Sequence, residues 1–132
     1  LVDYKTHVRG NKEPIEPRQP VKRPCEIETV EELYINGLHL EQYKQHNYNS
    51  VDYYLEGLKR DEGDIRCNTS MARYCYKNGR FDECIAYADK AIERLTLRNQ
   101  HPLDVEAFYL KGLALKNKGE YDKAYDALYR AR

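Results

Sequence analysis

The sequence predicts an all-α fold, and three observations carry that prediction. Six stretches place apolar residues at helical spacing, short polar turns containing glycine separate them in pairs, and the pattern recurs along the chain. No stretch shows the period-two alternation of a strand.

Residues 1–28 lack a helical period and carry Pro14, Pro17, Pro20 and Pro24. Prolines at this spacing favour extended, polyproline-like backbone, so the segment reads as a linker or a strap along the domain. Thr29-Val30-Glu31-Glu32 then fits a capping box at a helix start. Val30, Leu33, Gly37 and Leu40 mark the first helix, and Val51, Tyr54, Leu55 and Leu58 the second. Asp64 is placed to cap the third, which puts Ile65, Ala72 and Cys75 on one side. Phe81, Cys84, Ile85, Ala88, Ala91, Ile92 and Leu95 form a continuous stripe on the fourth. Phe108, Gly112 and Leu115 mark the fifth, and Tyr121, Ala124, Tyr125, Leu128 and Ala131 the sixth. The turns Lys77-Asn78-Gly79-Arg80 and Lys116-Asn117-Lys118-Gly119 each offer a glycine for the left-handed residue that ends a helix.

The period is the strongest signal. Gly79 and Gly119, Cys84 and Ala124, and Ala91 and Ala131 are each 40 residues apart. One unit earlier the offset is 34, pairing Ser50 with Cys84 and Gly57 with Ala91. The extra length falls in the loop Arg98-Asn99-Gln100-His101-Pro102-Leu103. Small residues at matched positions, namely Gly37/Ala72/Gly112, Ser50/Cys84/Ala124 and Gly57/Ala91/Ala131, let antiparallel helices cross closely while larger side chains fill the space beside them.

Composition narrows the function. Lys+Arg and Asp+Glu are balanced at 22 each, which gives neither a nucleic-acid footprint nor a polybasic membrane patch. No apolar run reaches the ~20 residues of a membrane span, and no signal peptide is visible. Cys25, Cys67, Cys75 and Cys84 form no C-x-x-C pair and have no zinc-finger histidine spacing. Cys75 and Cys84 fall on packing positions, so small buried hydrophobes in a reducing, cytoplasmic compartment are expected. With 13 Tyr, two Phe and no Trp, tyrosine must supply most of the aromatic packing and suits thin layers and binding grooves. The chain opens without methionine and stops inside an apolar-periodic segment, so it reads as a piece of a longer protein.

Catalytic motifs are missing: there is no G-x-S-x-G, phosphate loop or H-E-x-x-H. His39, Tyr43 and His46 share a helix face, but the obvious addition, Gln42, is a poor metal ligand. Partly exposed structural histidines are the reading adopted. Asp61-Glu62-Gly63-Asp64 lacks the length and alternation of an EF-hand and is explained as turn plus N-cap. Glu31/Glu32 and Asp82/Glu83 sit at helix starts, where they complement the dipole. No enzyme, cofactor or metal is therefore expected.

The spacing resembles the tetratricopeptide repeat, whose unit is 34 residues with small residues at fixed positions. The resemblance covers about residues 30–132, in units of about 30–63, 64–98 and 104–132 within a repeat domain at 29–132. The third unit matches best, through Phe108, Gly112, Leu115, Ala124 and Ala131. The second has Asn68 in the usual aromatic slot, and the first has Gly57 where alanine is usual. What the resemblance implies is an α-α superhelix whose first helices line a concave surface. Tyr34, Leu38 and Glu41 of unit one would face a ligand there. So would Arg66, Thr69, Arg73, Tyr76 and Lys77 of unit two, and Tyr109, Leu113, Lys116 and Asn117 of unit three. The middle of that surface is expected to be cationic and tyrosine-rich, the composition of a peptide or carboxylate hot spot. The family's clamp for chaperone carboxyl termini uses Lys and Asn where this chain has Tyr34 and Leu38, which argues against a chaperone-tail receptor.

The expected function is a non-catalytic scaffold whose groove takes a peptide, a protein segment or another domain of its parent chain. A looser resemblance offers an alternative. The phrases Glu32-Leu33-Tyr34-Ile35-Asn36-Gly37-Leu38-His39-Leu40-Glu41-Gln42-Tyr43 and Glu93-Arg94-Leu95-Thr96 look like a bacterial family in which such repeats follow a β-sandwich domain similar to galactose mutarotase. That resemblance implies an accessory segment of a carbohydrate-active enzyme. Finally, Tyr121, Ala124, Tyr125 and Leu128 leave the last helix without a polar cap. Either self-association through this C-terminal helix or a following repeat is expected.

Overall fold

The computed structural model describes residue 3, residue 17, and residues 19–43 and 47–132. His46 and Pro14, named above, lie outside the described residues. Among the described residues six α-helices follow one another: α1 Val30–Tyr43, α2 Ser50–Arg60, α3 Ile65–Lys77, α4 Phe81–Thr96, α5 Glu106–Lys118 and α6 Tyr121–Arg130. No strand occurs among the described residues. Each helix packs on the next, and α3 also packs on α5, so the chain forms an all-α, tetratricopeptide-like array.

Local chemistry sets the helix ends. The Thr29 hydroxyl accepts from the Glu32 amide at 3.2 Å, Asn49 accepts from Val51 at 3.2 Å and Asp64 accepts from Cys67 at 2.8 Å. Gly79 and Gly119 adopt φ of 72° and 83°. Behind them the Arg80 amide donates to the Cys75 carbonyl at 2.9 Å and Glu120 to Leu115 at 3.0 Å, the six-to-one bonds of a Schellman ending. Asn68, in the slot where an aromatic is usual, is fully buried, and its amide donates to the carbonyls of Glu62 at 2.8 Å and Asp64 at 2.9 Å. It braces the α2–α3 turn instead of filling a hydrophobic gap.

The core is a row of small clusters rather than one nucleus, as expected of a layered repeat. Val21, Ile27, Leu33, Leu40 and Tyr53 join the N-terminal segment to the first pair. Val51, Tyr54, Cys67 and Met71 join α2 to α3. Ala72, Cys75, Cys84, Ala88, Leu110 and Ala114 join α3, α4 and α5, and Leu115, Ala124 and Ala127 close α5 on α6. The close crossings are real: a Cβ on Gly37 would stand 2.6 Å from the Tyr54 ring, one on Gly57 2.9 Å from the Cys67 sulfur, and one on Gly112 2.5 Å from Leu128.

Two expectations need correction. Leu55, assigned to the packing stripe of α2, is exposed, and Tyr53 is buried in its place. The substitution has a cause: the N-terminal segment covers that side of α2, and the Tyr53 hydroxyl donates to the Lys22 carbonyl at 2.8 Å. Within that segment Pro24–Glu26 forms a 3₁₀ turn rather than extended chain. Arg60 anchors it, donating to the carbonyls of Ile27 at 2.5 Å, Glu28 at 2.9 Å and Pro24 at 3.3 Å. Tyr121 and Tyr125, on the helix expected to lack a polar cap, are 69% and 68% exposed. Cys67 joins Cys75 and Cys84 in the interior, while Cys25 is exposed. Burial pushes all three interior thiols up, Cys67 to about 12 and Cys84 to about 11.

Candidate functional site

The first helices of the three pairs, α1, α3 and α5, share one face, and their side chains show it by reaching one another. Arg66 of α3 pairs with Glu31 of α1 at 3.3 Å and lies over the Tyr34 ring, 5.2 Å from its centroid. Lys77 pairs with Glu41 at 2.8 Å. Arg73 reaches both ways, to Glu41 of α1 at 3.8 Å and to Glu106 of α5 at 2.5 Å. One turn further along, the Asn117 amide donates to the Tyr76 hydroxyl at 3.1 Å. The face therefore has a cationic central helix flanked by carboxylates from both neighbours.

That arrangement changes the expected electrostatics. A cationic groove was anticipated around Arg66, Arg73 and Lys77, yet each of these groups already meets a carboxylate. Glu41 is the hub. One of its oxygens takes Lys77, and the other takes the Tyr54 hydroxyl at 3.3 Å and faces Arg73. Burial works to raise the Glu41 carboxyl, but Lys77 and Arg73 outweigh it and hold the group below its usual range. Burial and the nearby Glu41 charge push the Tyr54 phenol upward. Arg73, despite desolvation, is held protonated by Glu106 and Glu41.

The remaining anticipated residues divide. Tyr34 and Tyr76 are half-buried and Tyr109 is 50% exposed, so aromatic surface is available on all three helices. Lys77 and Lys116 are exposed at the C-terminal ends of α3 and α5. Thr69 does not fit the expectation. It is only 5% exposed and its hydroxyl finds no partner, so it belongs to the floor of α3 rather than to a contact surface. Sequence reasoning named Glu41, Arg73 and Lys77 on the face and Glu31 at a helix start without pairing them, and it gave Glu106 no place in the site. Setting the first helices side by side in repeat register would have found Glu31, which falls beside Arg66, but not Glu106, which also falls beside Arg66 and is reached instead by Arg73 from two turns further along α3.

A second groove, of about 440 Å³, lies between α4, α5 and α6 over Ile85, Ile92, Phe108 and Leu115. Its rim is stitched by Lys111 to Asp89 at 2.6 Å and Lys118 to Asp82 at 2.5 Å, pairs that join α5 to α4. Among the described residues, no cluster of three or more His, Cys, Asp or Glu could hold a metal. The rings of His39 and Tyr43 lie 4.4 Å apart. No helix among the described residues is long and apolar enough to cross a membrane.

Compared with the known protein-family models, the chain matches none. Compared with known proteins, it is similar to plant proteins that carry one shared name. The Hsp70-Hsp90 organizing protein of Triticum aestivum is 34% identical over 95 residues, 67% of this chain and 16% of the relative. Hsp70-Hsp90 organizing protein 2 of Arabidopsis thaliana is 31% identical over 86 residues, 64% of this chain and 15% of the relative. The chain thus spans about one sixth of the length of the relatives it matches. Likeness to these plant proteins is consistent with the tetratricopeptide-like array, and no bacterial enzyme with a mutarotase-like domain is among them.

Proposed function

We propose that the chain is a non-catalytic protein-interaction scaffold that holds a segment of a partner across the face of α1, α3 and α5. The observation that carries the reading is the presence of Tyr34, Tyr76 and Tyr109 on the three first helices, whose relative positions are pinned by Arg66, Arg73 and Lys77. Tyrosine supplies contact area with little rotamer entropy to lose, and a face pre-positioned by ion pairs loses little more on binding. The repeat domain we assign to residues 29–132, with residues 1–28 as a strap, of which Val21 to Glu28 docks on α1 and α2. The name that these relatives share makes Hsp70 and Hsp90 the first partners to test. Nothing favours the alternative of an accessory segment in a carbohydrate-active enzyme.

The test is a peptide array probed with the chain, followed by titration of the strongest peptides and of Hsp70 and Hsp90. Tyr109→Ala and Arg73→Glu should each weaken binding at least tenfold while leaving the helical spectrum intact. If both variants retain every affinity, the first-helix face is not the binding surface.

A second surface follows from a separate observation. Tyr121, Tyr125 and Tyr129 are 69%, 68% and 63% exposed on one side of α6, with the last two rings stacked at 6.1 Å. We propose weak self-association there. A tyrosine offers ~150–250 Å², so three of them supply roughly 300–500 Å² per copy, short of the ~800 Å² per partner of a stable interface. Sedimentation equilibrium should show dimer only at high concentration and none for Tyr125→Glu. A wild-type chain that stays monomeric at millimolar concentration refutes this.

A further inference from the structure

We propose that Glu41 is a specificity residue that occupies the anion site of the first-helix face, so that the face refuses acidic segments and takes near-neutral, apolar ones. The inference rests on the binding reading above and names the partner class.

Donors from two helices converge on this carboxylate. Lys77 of α3 approaches one oxygen at 2.8 Å, while Arg73 of α3 at 3.8 Å and the Tyr54 hydroxyl of α2 at 3.3 Å face the other. Two cations and a phenol around two oxygens are what a protein builds to hold a ligand carboxylate. Here a side chain of α1 already fills the place. Glu106 does the same for the far edge of Arg73, whose Nε and Nη2 donate to one oxygen at 2.9 and 2.5 Å. Glu31 closes Arg66. An acidic peptide would have to expel a tethered carboxylate, or settle beside it and suffer repulsion from a like charge. Tethering favours the resident group, since it loses no translational freedom in pairing. Apart from Lys116 near the end of α5, what the face leaves for a ligand is aromatic and aliphatic: Tyr34, Leu38, Tyr76, Tyr109 and Leu113 are each at least partly exposed. A segment presenting apolar side chains, without a run of acids, matches that surface.

The test uses two probes on the folded chain, with fluorescence anisotropy at low ionic strength. The first is a fluorescein-labelled penta-aspartate with a free carboxyl terminus, and the second is an uncharged peptide selected on the array. Wild type should bind penta-aspartate at least tenfold more weakly than Glu41→Gln does. Adding Lys77→Met to Glu41→Gln should remove the gain, and any change in affinity for the uncharged peptide should be smaller than the change for penta-aspartate. Glu106→Gln, which frees one edge of Arg73 and leaves the hub intact, should give a smaller gain and serves if Glu41→Gln folds poorly. Wild type binding penta-aspartate as tightly as Glu41→Gln, or folded Glu41→Gln and Glu106→Gln both failing to gain, would overturn the role of Glu41. Failure of the binding reading shows separately, as Tyr109→Ala leaving the uncharged peptide's affinity unchanged.

Discussion

Replacing Gly37 by alanine sets two known effects against each other, and the structure decides between them. In an exposed helix interior the change stabilises by about 1 kcal/mol, because alanine loses less backbone entropy. At Gly37 the added Cβ would stand 2.6, 3.0 and 3.1 Å from Cε1, Cδ1 and Cζ of Tyr54. Ordinary carbon contacts begin near ~3.5 Å, so the ring must withdraw by roughly 1 Å. Tyr54 is 1% exposed and packed among Val51, Cys67 and Met71, which leaves it nowhere to go. Overpacking of this kind costs about 1–3 kcal/mol, and a displaced ring also loses its bond to Glu41, worth about 1 kcal/mol. The sum outweighs the propensity gain and leaves a net loss of about 1–3 kcal/mol. Urea unfolding followed by circular dichroism should show the midpoint lowered by about 1 M. The same substitution in a Tyr54→Leu background should be neutral or stabilising, since the obstructing ring is gone. If Gly37→Ala raises the midpoint in the wild-type background, the close helix crossing inferred from the small residue is wrong.

Three further outcomes follow from particular contacts. Arg60→Met removes the donor to three carbonyls of the N-terminal segment, and should cost about 2 kcal/mol in urea and speed proteolytic cleavage before Val30. At mildly alkaline pH, Ellman's reagent should titrate Cys25 rapidly and leave Cys67, Cys75 and Cys84 unreacted until urea is added; fast reaction of a second thiol would contradict the packing. Because the Glu41 carboxyl is held low in the folded chain, its contribution is complete above the ordinary carboxylate range and is lost as pH falls through the folded value. Stability should therefore fall on the acid side, and Glu41→Gln should flatten that fall measurably in thermal melts taken at successive pH values.

Much of the architecture was legible because it is written in local rules. The turn glycines Gly79 and Gly119 and the cap Asp64 announce helix ends through backbone requirements that act within a few residues. The small residues Gly37, Ala72 and Gly112 announce crossings because bulk there is forbidden whatever the surroundings. Tyr53 and Leu55 were misjudged for the opposite reason. Which of two adjacent apolar residues on α2 is buried depends on the strap, whose docking through Val21, Ile27 and Arg60 has no periodic signature. The candidate site was half legible. Helical register placed Arg66, Arg73 and Tyr76 on one face, but the pairing partners come from helices 33 to 36 residues away, and charge balance across them is invisible to a reading of one helix at a time. Thr69 shows the limit of register alone, since it sits on the right stripe yet beneath the surface.

The central claim is that partners bind across the first helices, and amide mapping tests it most directly. An isotopically labelled chain titrated with its tightest array peptide should show its largest NMR shifts at Tyr34, Arg73, Tyr76 and Tyr109, with α6 unmoved. Shifts confined to α4 and α6, around Asp89 and Tyr125, would contradict the account.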